Sequence, residues 1–443
     1  MEYSSTFSNL FICHRKNNTE KAYHYLCGLI QAPKRNMERM EEVVEGADYD
    51  ATQHFISGSP WKAQALMDRV AREVDGIFGG TSDTCLLIDE SGFTKKGEDS
   101  VAVARQYNGR LGKLDNCQVA VFGALCAGKH AALVDARLFL PDEWVNDPDR
   151  CAEVRIPEEM IVAKSKIELA MDIVTHQREI GMRFSCVCAD GLYGNSGEFL
   201  RRLDDTGEVF MANVHVDQLV YLSDPKPEVP AKTSVRGRKP TKLQACAEPV
   251  RVDNICASLK GSDWRRVAIR ESTAGTLKAS IYRRTVWLWD GEEANARKWT
   301  LLIRKDSGNE IKYALSNAHD DVTTRRFVGM EAQRFWIERA FQDGKSTVGM
   351  DEYQVRGWLA WHHHIAMCMM ALLFILKQRV IHGDEVPLLS ANDIRSMLEF
   401  LLPRKNCTLK EVVRQMEVRH AKRQAATECK ARSKKRRHVN IPK

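Results

Sequence analysis

The stretch Thr84-Cys85-Leu86-Leu87-Ile88-Asp89-Glu90 is an apolar run that stops on a carboxylate, and Phe184-Ser185-Cys186-Val187-Cys188-Ala189-Asp190-Gly191 repeats the pattern further along. Runs of this kind, with no polar face, suit central strands covered on both sides. Each delivers an aspartate to a strand end. A third carboxylate stands in Arg334-Phe335-Trp336-Ile337-Glu338-Arg339-Ala340-Phe341-Gln342-Asp343-Gly344-Lys345. At about 100° per residue, positions 334, 338, 341 and 345 fall within roughly 60° of one another on a helix. One helical face therefore presents a cation, a carboxylate, an aromatic ring and a second cation.

Working outward, residues 85–89, 118–125 and 131–140 read as three consecutive strands separated by Gly, Asn, Asp and Lys clusters. A helical pattern over 158–179, a strand ending at Asp190, a helix over 194–204 and a strand over 208–214 follow. Meandering strands followed by alternating helix and strand predict a mixed α/β sheet with helices on both faces. Residues 215–318 break that rhythm. They open on a Pro/Lys/Arg-rich segment and continue as β-branched and aromatic runs over 264–270, 277–290, 298–305 and 312–315, which suggests a β-rich insertion rather than more of the sheet. The expected organisation is a helical N-terminal region at 1–80, a catalytic domain split into 81–214 and 319–402 by the insertion, and a basic tail at 403–443.

With 443 residues, 44% of them hydrophobic, the chain has material for two or three domains. A formal charge of +7 permits a polyanionic partner, and the surplus gathers at the C-terminus, where 419–443 hold ten Lys or Arg against Glu428 alone. The thirteen cysteines form no Cys-x-x-Cys pair and are expected to be reduced thiols; Cys186 and Cys188 face the same side of a strand and are expected to pack there. The N-terminus lacks the apolar core of a signal peptide, so a cytoplasmic protein is expected. Residues 365–376 are apolar but short of the roughly 20 residues a membrane span needs, which predicts a buried helix and no membrane partner.

Three carboxylates with cations beside them fit phosphodiester chemistry. Two Mg²⁺ ions about 3.5–4 Å apart stabilise the attacking and leaving oxygens, and carboxylates are their natural ligands. On this reading Asp89 bridges both ions, Asp190 holds one and Glu338 the other. Arg334 and Lys345 then contact DNA phosphates near the scissile bond and position the strand. Taken singly the features have plainer explanations: Asp190-Gly191 is also a turn, and Arg334 with Glu338 is also an i,i+4 ion pair worth a few tenths of a kcal/mol.

Several longer words narrow the choice: Leu87-Ile88-Asp89-Glu90-Ser91-Gly92-Phe93-Thr94-Lys95-Lys96-Gly97, Leu140-Pro141-Asp142-Glu143-Trp144, Ala189-Asp190-Gly191-Leu192-Tyr193-Gly194 and Trp336 to Lys345. With them the chain resembles bacterial insertion-sequence transposases that carry an RNase H-like DDE domain, in particular insertion-sequence family 701 within the wider family-4 group. The resemblance implies that Asp89, Asp190 and Glu338 are the metal-binding triad, with two Mg²⁺ ions for which Mn²⁺ can substitute. It implies cleavage at the element's terminal inverted repeats and transfer of the 3′-hydroxyl ends into target DNA. It also implies a homodimer or larger assembly on double-stranded DNA, near the nucleoid.

The wider group's helix signature sets Tyr, Arg, Glu and Lys in order; Arg334, Glu338 and Lys345 match, while Glu331 stands where the tyrosine belongs. In that group a β-rich insertion handles DNA ends, which directs attention to Trp264, Trp287, Trp289 and Trp299, although at least three of the four are expected to be β-core. Lys95, Lys96 and Arg105 make a basic neighbourhood suited to the DNA backbone, and Arg236 with Arg238 resembles a minor-groove hook. His362, His363 and His364 point about 100° apart on a helix and are expected to pack rather than share one metal. Two other readings remain open: a non-catalytic DNA-binding regulator, and an RNase H-like structure-specific nuclease without strand transfer.

Overall fold

The computed structural model describes residues 1–231, 240–272, 275–308 and 310–439. They form two compact units: Gln64–Asp343 with Arg356–Trp358, and Met1–Ala63 with Gly344–Val355 and Leu359–Lys443. The helix Ala63–Phe78, which the sequence groups with the N-terminal region, lies almost entirely within the first unit.

That unit is organised on one ten-stranded sheet. Its strands are β1 (Cys85–Thr94), β2 (Ala104–Asn108), β3 (Lys113–Ala127), β4 (His130–Leu138), β5 (Cys186–Ala189) and β6 (Phe210–Val214), then β7 (Arg265–Ser272), β8 (Gly275–Leu288), β9 (Arg297–Lys305) and β10 (Ile311–Ser316). The order runs β7-β8-β9-β10-β6-β5-β1-β3-β2, with β4 also on β3. The β1–β5 and β5–β6 pairs are parallel and the rest antiparallel. Cys85 to Ile88 and all of β5 are buried, as expected of strands covered on both faces.

Helices cover both sides. Lys166–Glu179, closed by a capping box between Ser165 and Glu168, presses Ile173 to within 2.8 Å of where a side chain on Gly123 would begin, so only glycine fits at this bulge of β3. Thr324–Gln333 covers the opposite face: the Met330 carbonyl accepts from Cys188 Sγ at 3.4 Å, and Gln333 Oε1 accepts from Cys126 Sγ at 2.7 Å.

The expectation of a separate β insertion needs correction. Strands β7 to β10 lie within 215–318, but β10 pairs with β6 and continues the sheet. Their β-branched and aromatic content announced strands; which edge they joined was set by pairing that local sequence does not encode. The edge strand β2 was also missed, because its exposed Arg105 and Tyr107 leave little apolar pattern.

The second unit is helical. The apolar helix Trp358–Ile381 is long enough to cross a membrane, but 78% of its most apolar window is buried, and Ile365, Met367, Cys368 and Met370 form core. His363 stacks on Trp61 with ring centroids 3.7 Å apart, and His364 Nδ1 lies 2.8 Å from the Tyr25 hydroxyl. The three consecutive histidines thus pack among aromatic rings.

The C-terminal stretch also departs from expectation. It folds as the helix Leu409–Val439, whose first half packs on Met37–Val43 through Gln415 Nε2 donating to the Glu42 carbonyl at 3.3 Å and Arg419 paired with Glu42 at 2.6 Å. Lys422 lies 3.0 Å from the Tyr49 ring centroid. Poverty in apolar residues suggested a tail, but Ala, Lys, Arg, Gln and Glu are strong helix formers.

Candidate active site

Pairing between β1 and β5 builds the centre. The register runs Cys85↔Cys186, Leu86↔Val187, Leu87↔Cys188 and Ile88↔Ala189, so the next step along both parallel strands brings Asp89 beside Asp190. Period-two alternation puts Asp89 on the same sheet face as Cys85, the face covered by Thr324–Gln333. Across the sheet Asp89 pairs with Phe122, whose ring meets Phe341 edge-on at 5.2 Å. Phe341 belongs to the helix Phe335–Val348, less than one turn beyond Glu338. The third acid therefore rides on a helix that packs on Phe122, the cross-strand neighbour of Asp89.

Electrostatics ties these groups together. Burial raises the Asp89 carboxyl well above its ordinary range, the negative charges of Asp190 and Glu90 raise it further, and the Arg334 guanidinium opposes them. Arg334 Nη2 also pairs with Glu338 Oε1 at 3.2 Å. A cation thus stands among the acids. Asp89 Oδ1 accepts from its neighbour's backbone N–H at 2.7 Å, and Asp190 caps the turn Gly191–Gly194 by accepting from Leu192 N at 3.0 Å. A buried Asp89 carboxylate that the charges of Asp190 and Glu90 crowd is what hard-oxygen coordination of a divalent cation relieves, so these residues fit such an ion.

A fourth acid was missed. Glu90 points to the opposite face, where its carboxylate takes Lys166 Nζ at 3.3 Å and the Tyr193 hydroxyl at 3.3 Å. Burial raises its carboxyl despite Lys166, and burial followed by the surrounding acids raises the Tyr193 phenol well above its usual value. The Asp-Glu pair at a strand end was a visible signal, but its partners come from a helix and a turn that only the fold assembles. Glu331, where the signature has tyrosine, is buried and paired with Arg304 at 2.6 Å.

The expected basic residues divide. Arg334 sits among the acids. Lys345 occupies the last turn of the glutamate helix, half-buried. Lys95, Lys96 and Arg105 gather beyond the end of β1: the Lys95 N–H donates to the Asn116 carbonyl, and Asn116 is the cross-strand partner of Arg105. Arg236 and Arg238 lie outside the described residues. Of the four tryptophans only Trp299 is core, against Phe210 at 5.0 Å; Trp264, Trp287 and Trp289 are half-buried, so the expectation that most were β-core is corrected. Sequence reasoning also missed a groove of about 590 Å³ that has Arg334 in its wall and His215, Arg251 and Lys312 along it, with Asp217 and Glu310 opposing their charge.

Compared with known proteins, residues 7–276 match the sequence model described as DDE superfamily endonuclease, which is well over half of the chain. The chain belongs to the DDE superfamily endonucleases. The matched part of this endonuclease contains Asp89 and Asp190 and ends before Glu338. A curated relative, described as "Probable transposase for insertion sequence element IS701" from Microchaete diplosiphon, is 23% identical over 359 residues, covering 80% of this chain and 81% of its own length. The resemblance drawn from the sequence words is thereby borne out.

Proposed function

We propose that this endonuclease is a transposase that cleaves the ends of its insertion sequence and joins the exposed 3′-hydroxyls to target DNA. The observation that supports the reading is the parallel register of β1 and β5, which brings Asp89 beside Asp190, with the helix of Glu338 packed through Phe341 on Phe122, the cross-strand neighbour of Asp89. The catalytic core is RNase H-like on this reading; the order β4-β3-β1-β5-β6, antiparallel through β1 and parallel beyond it, supports it.

Asp89, Asp190 and Glu338 hold the divalent ions, Mg²⁺ with Mn²⁺ as substitute. When bound, two such ions supply the charge that stabilises the attacking and leaving oxygens of phosphoryl transfer. Arg334, paired with Glu338 here, would be available to a phosphate of the cleaved strand were that carboxylate to hold metal. Glu90, held by Lys166 and Tyr193, braces the strand end from behind. The groove past Arg334 offers Arg251 and Lys312 to the DNA backbone. Water is the first nucleophile and the 3′-hydroxyl the second. The helical residues at the N-terminus and the strands β7 to β10 serve end recognition, and joining two ends calls for a homodimer or larger assembly in the cytoplasm beside the chromosome.

The test incubates full-length protein with Mg²⁺, a labelled element end and a target plasmid. Joined product supports the transposase, cleavage without joining indicates a nuclease, and binding without cleavage indicates a regulator and overturns the reading.

A further inference from the structure

Three thiols that no DNA chemistry uses meet in the interior of the sheet unit. Cys85, Cys186 and Cys188 are fully buried, and their sulfurs all lie within 4.8 Å of one another. The Cys186 and Cys188 sulfurs are 3.8 Å apart. Cys186-Val187-Cys188 is too short a motif to announce a metal site. The parallel register adds Cys85 beside Cys186, and alternation turns all three to the face covered by Thr324–Gln333.

We infer that Cys85, Cys186 and Cys188 form a structural site for a soft, thiophilic cation such as Zn²⁺. Tetrahedral Zn–S bonds of about 2.3 Å place sulfurs roughly 3.8 Å apart, the separation that Cys186 and Cys188 already have. On binding, the three thiols lose three protons, and three thiolates around a doubly charged ion leave one net negative charge. Arg326 stands nearby to offset it, donating to Ser185 Oγ at 2.7 Å and paired with Asp83 at 2.9 Å, each next in sequence or nearly so to a ligating cysteine. The Met330 carbonyl, 3.4 Å from Cys188 Sγ, is a neutral oxygen for a fourth position. Such an ion would clamp β1 to β5 on the same face as Asp89, while thiolate ligands keep it chemically distinct from the oxygen-rich carboxylate centre.

The test uses full-length protein purified without oxygen from cells supplied with zinc, and again with cobalt in place of zinc. Asp89→Asn is prepared in parallel, because it weakens the carboxylate centre and leaves the thiols. The expected result is about one zinc per chain in both proteins, and a cobalt form with the near-ultraviolet thiolate-to-metal charge-transfer band that oxygen ligands do not give. Cys186→Ala with Cys188→Ala should lose both the ion and the band. Zinc only in traces, or bound cobalt without that band, overturns the site. The wild-type spectrum decides alone, so a cysteine variant that fails to fold obscures nothing, and the outcome is independent of whether the protein joins, cuts or only binds DNA.

Discussion

At the scale of single residues, the acids carry different burdens. Glu338 is exposed, and its ion pair with Arg334 is an i,i+4 contact of the kind worth roughly 0.3–0.5 kcal/mol. Glu338→Gln therefore costs almost no stability but removes one ligand charge. DNA binding by filter retention should persist while cleavage falls by about 10²-fold or more, and near-normal cleavage would dismiss Glu338 as a ligand. Asp89 behaves in the opposite way. Its carboxyl pKa is raised in the folded state, so ionising it at neutral pH opposes folding, and that cost disappears as the pH drops and the group is protonated. Asp89→Asn removes the cost at once. Without divalent metal the variant should melt above wild type, by roughly 2–4 °C for each kcal/mol of repulsion relieved. Added Mg²⁺ should raise wild type and leave the variant nearly unmoved. A variant that melts lower without metal would show that Asp89 is not under that repulsion. The acids were legible because each closes an apolar run or sits in a signature; Glu90, Lys166 and Tyr193 were not, since each takes its meaning from a neighbour distant in sequence.

At the scale of elements, burial decided what could be read. Strands β1, β3 and β5 show as apolar runs because both of their faces are covered, and β7 to β10 show as β-branched and aromatic runs. That β10 would join β6 was invisible, because a strand's sequence states its own faces and not its partner's identity. The helix Leu409–Val439 was hidden for another reason: over 409–429 it buries little, so its periodicity is weak. It is nevertheless tied to Met37–Val43 and Tyr49–Ser57 by Gln415, Arg419 and Lys422. Truncation after Lys422 keeps those ties and removes eight Lys or Arg with one acid. If this stretch lies on DNA, binding should weaken and the slope of log affinity against log salt should become shallower by roughly 0.9 for each phosphate the shortened chain no longer neutralises, about three to seven units in all. An unchanged slope would mean that the helix serves only the fold of its own unit.

At the scale of the whole molecule, the two units should respond to acid with opposite sign. In the helical unit His363 is buried, stacked on Trp61, with its ring nitrogens 2.9 and 2.7 Å from the carbonyls of Ile56 and Trp61. The two carbonyls favour a doubly protonated ring, but burial prevails and lowers its pKa from 6.5 to about 4. The unfolded chain then takes up this proton first. Stability is whole above the unfolded value and is lost as the pH falls from about 6.5 through 4, by about 3 kcal/mol in total. In the sheet unit Asp89 and Glu90 have raised values, so protonating them as the pH falls relieves repulsion and burial cost instead. Hydrogen exchange followed by mass spectrometry between pH 7 and pH 4, with rates corrected for intrinsic exchange, separates the units by peptide. Peptides from Tyr49–Ser57 and from the centre of Trp358–Ile381 should lose protection as the pH drops, while those from β1 and β5 hold or gain. His363→Gln keeps a hydrogen-bonding side chain without the titration, so it should flatten the loss in the helical unit and leave the sheet unit's response unchanged. Equal loss in both units, or a sheet that opens first, would mean that neither the buried histidine nor the crowded acids govern the molecule in acid.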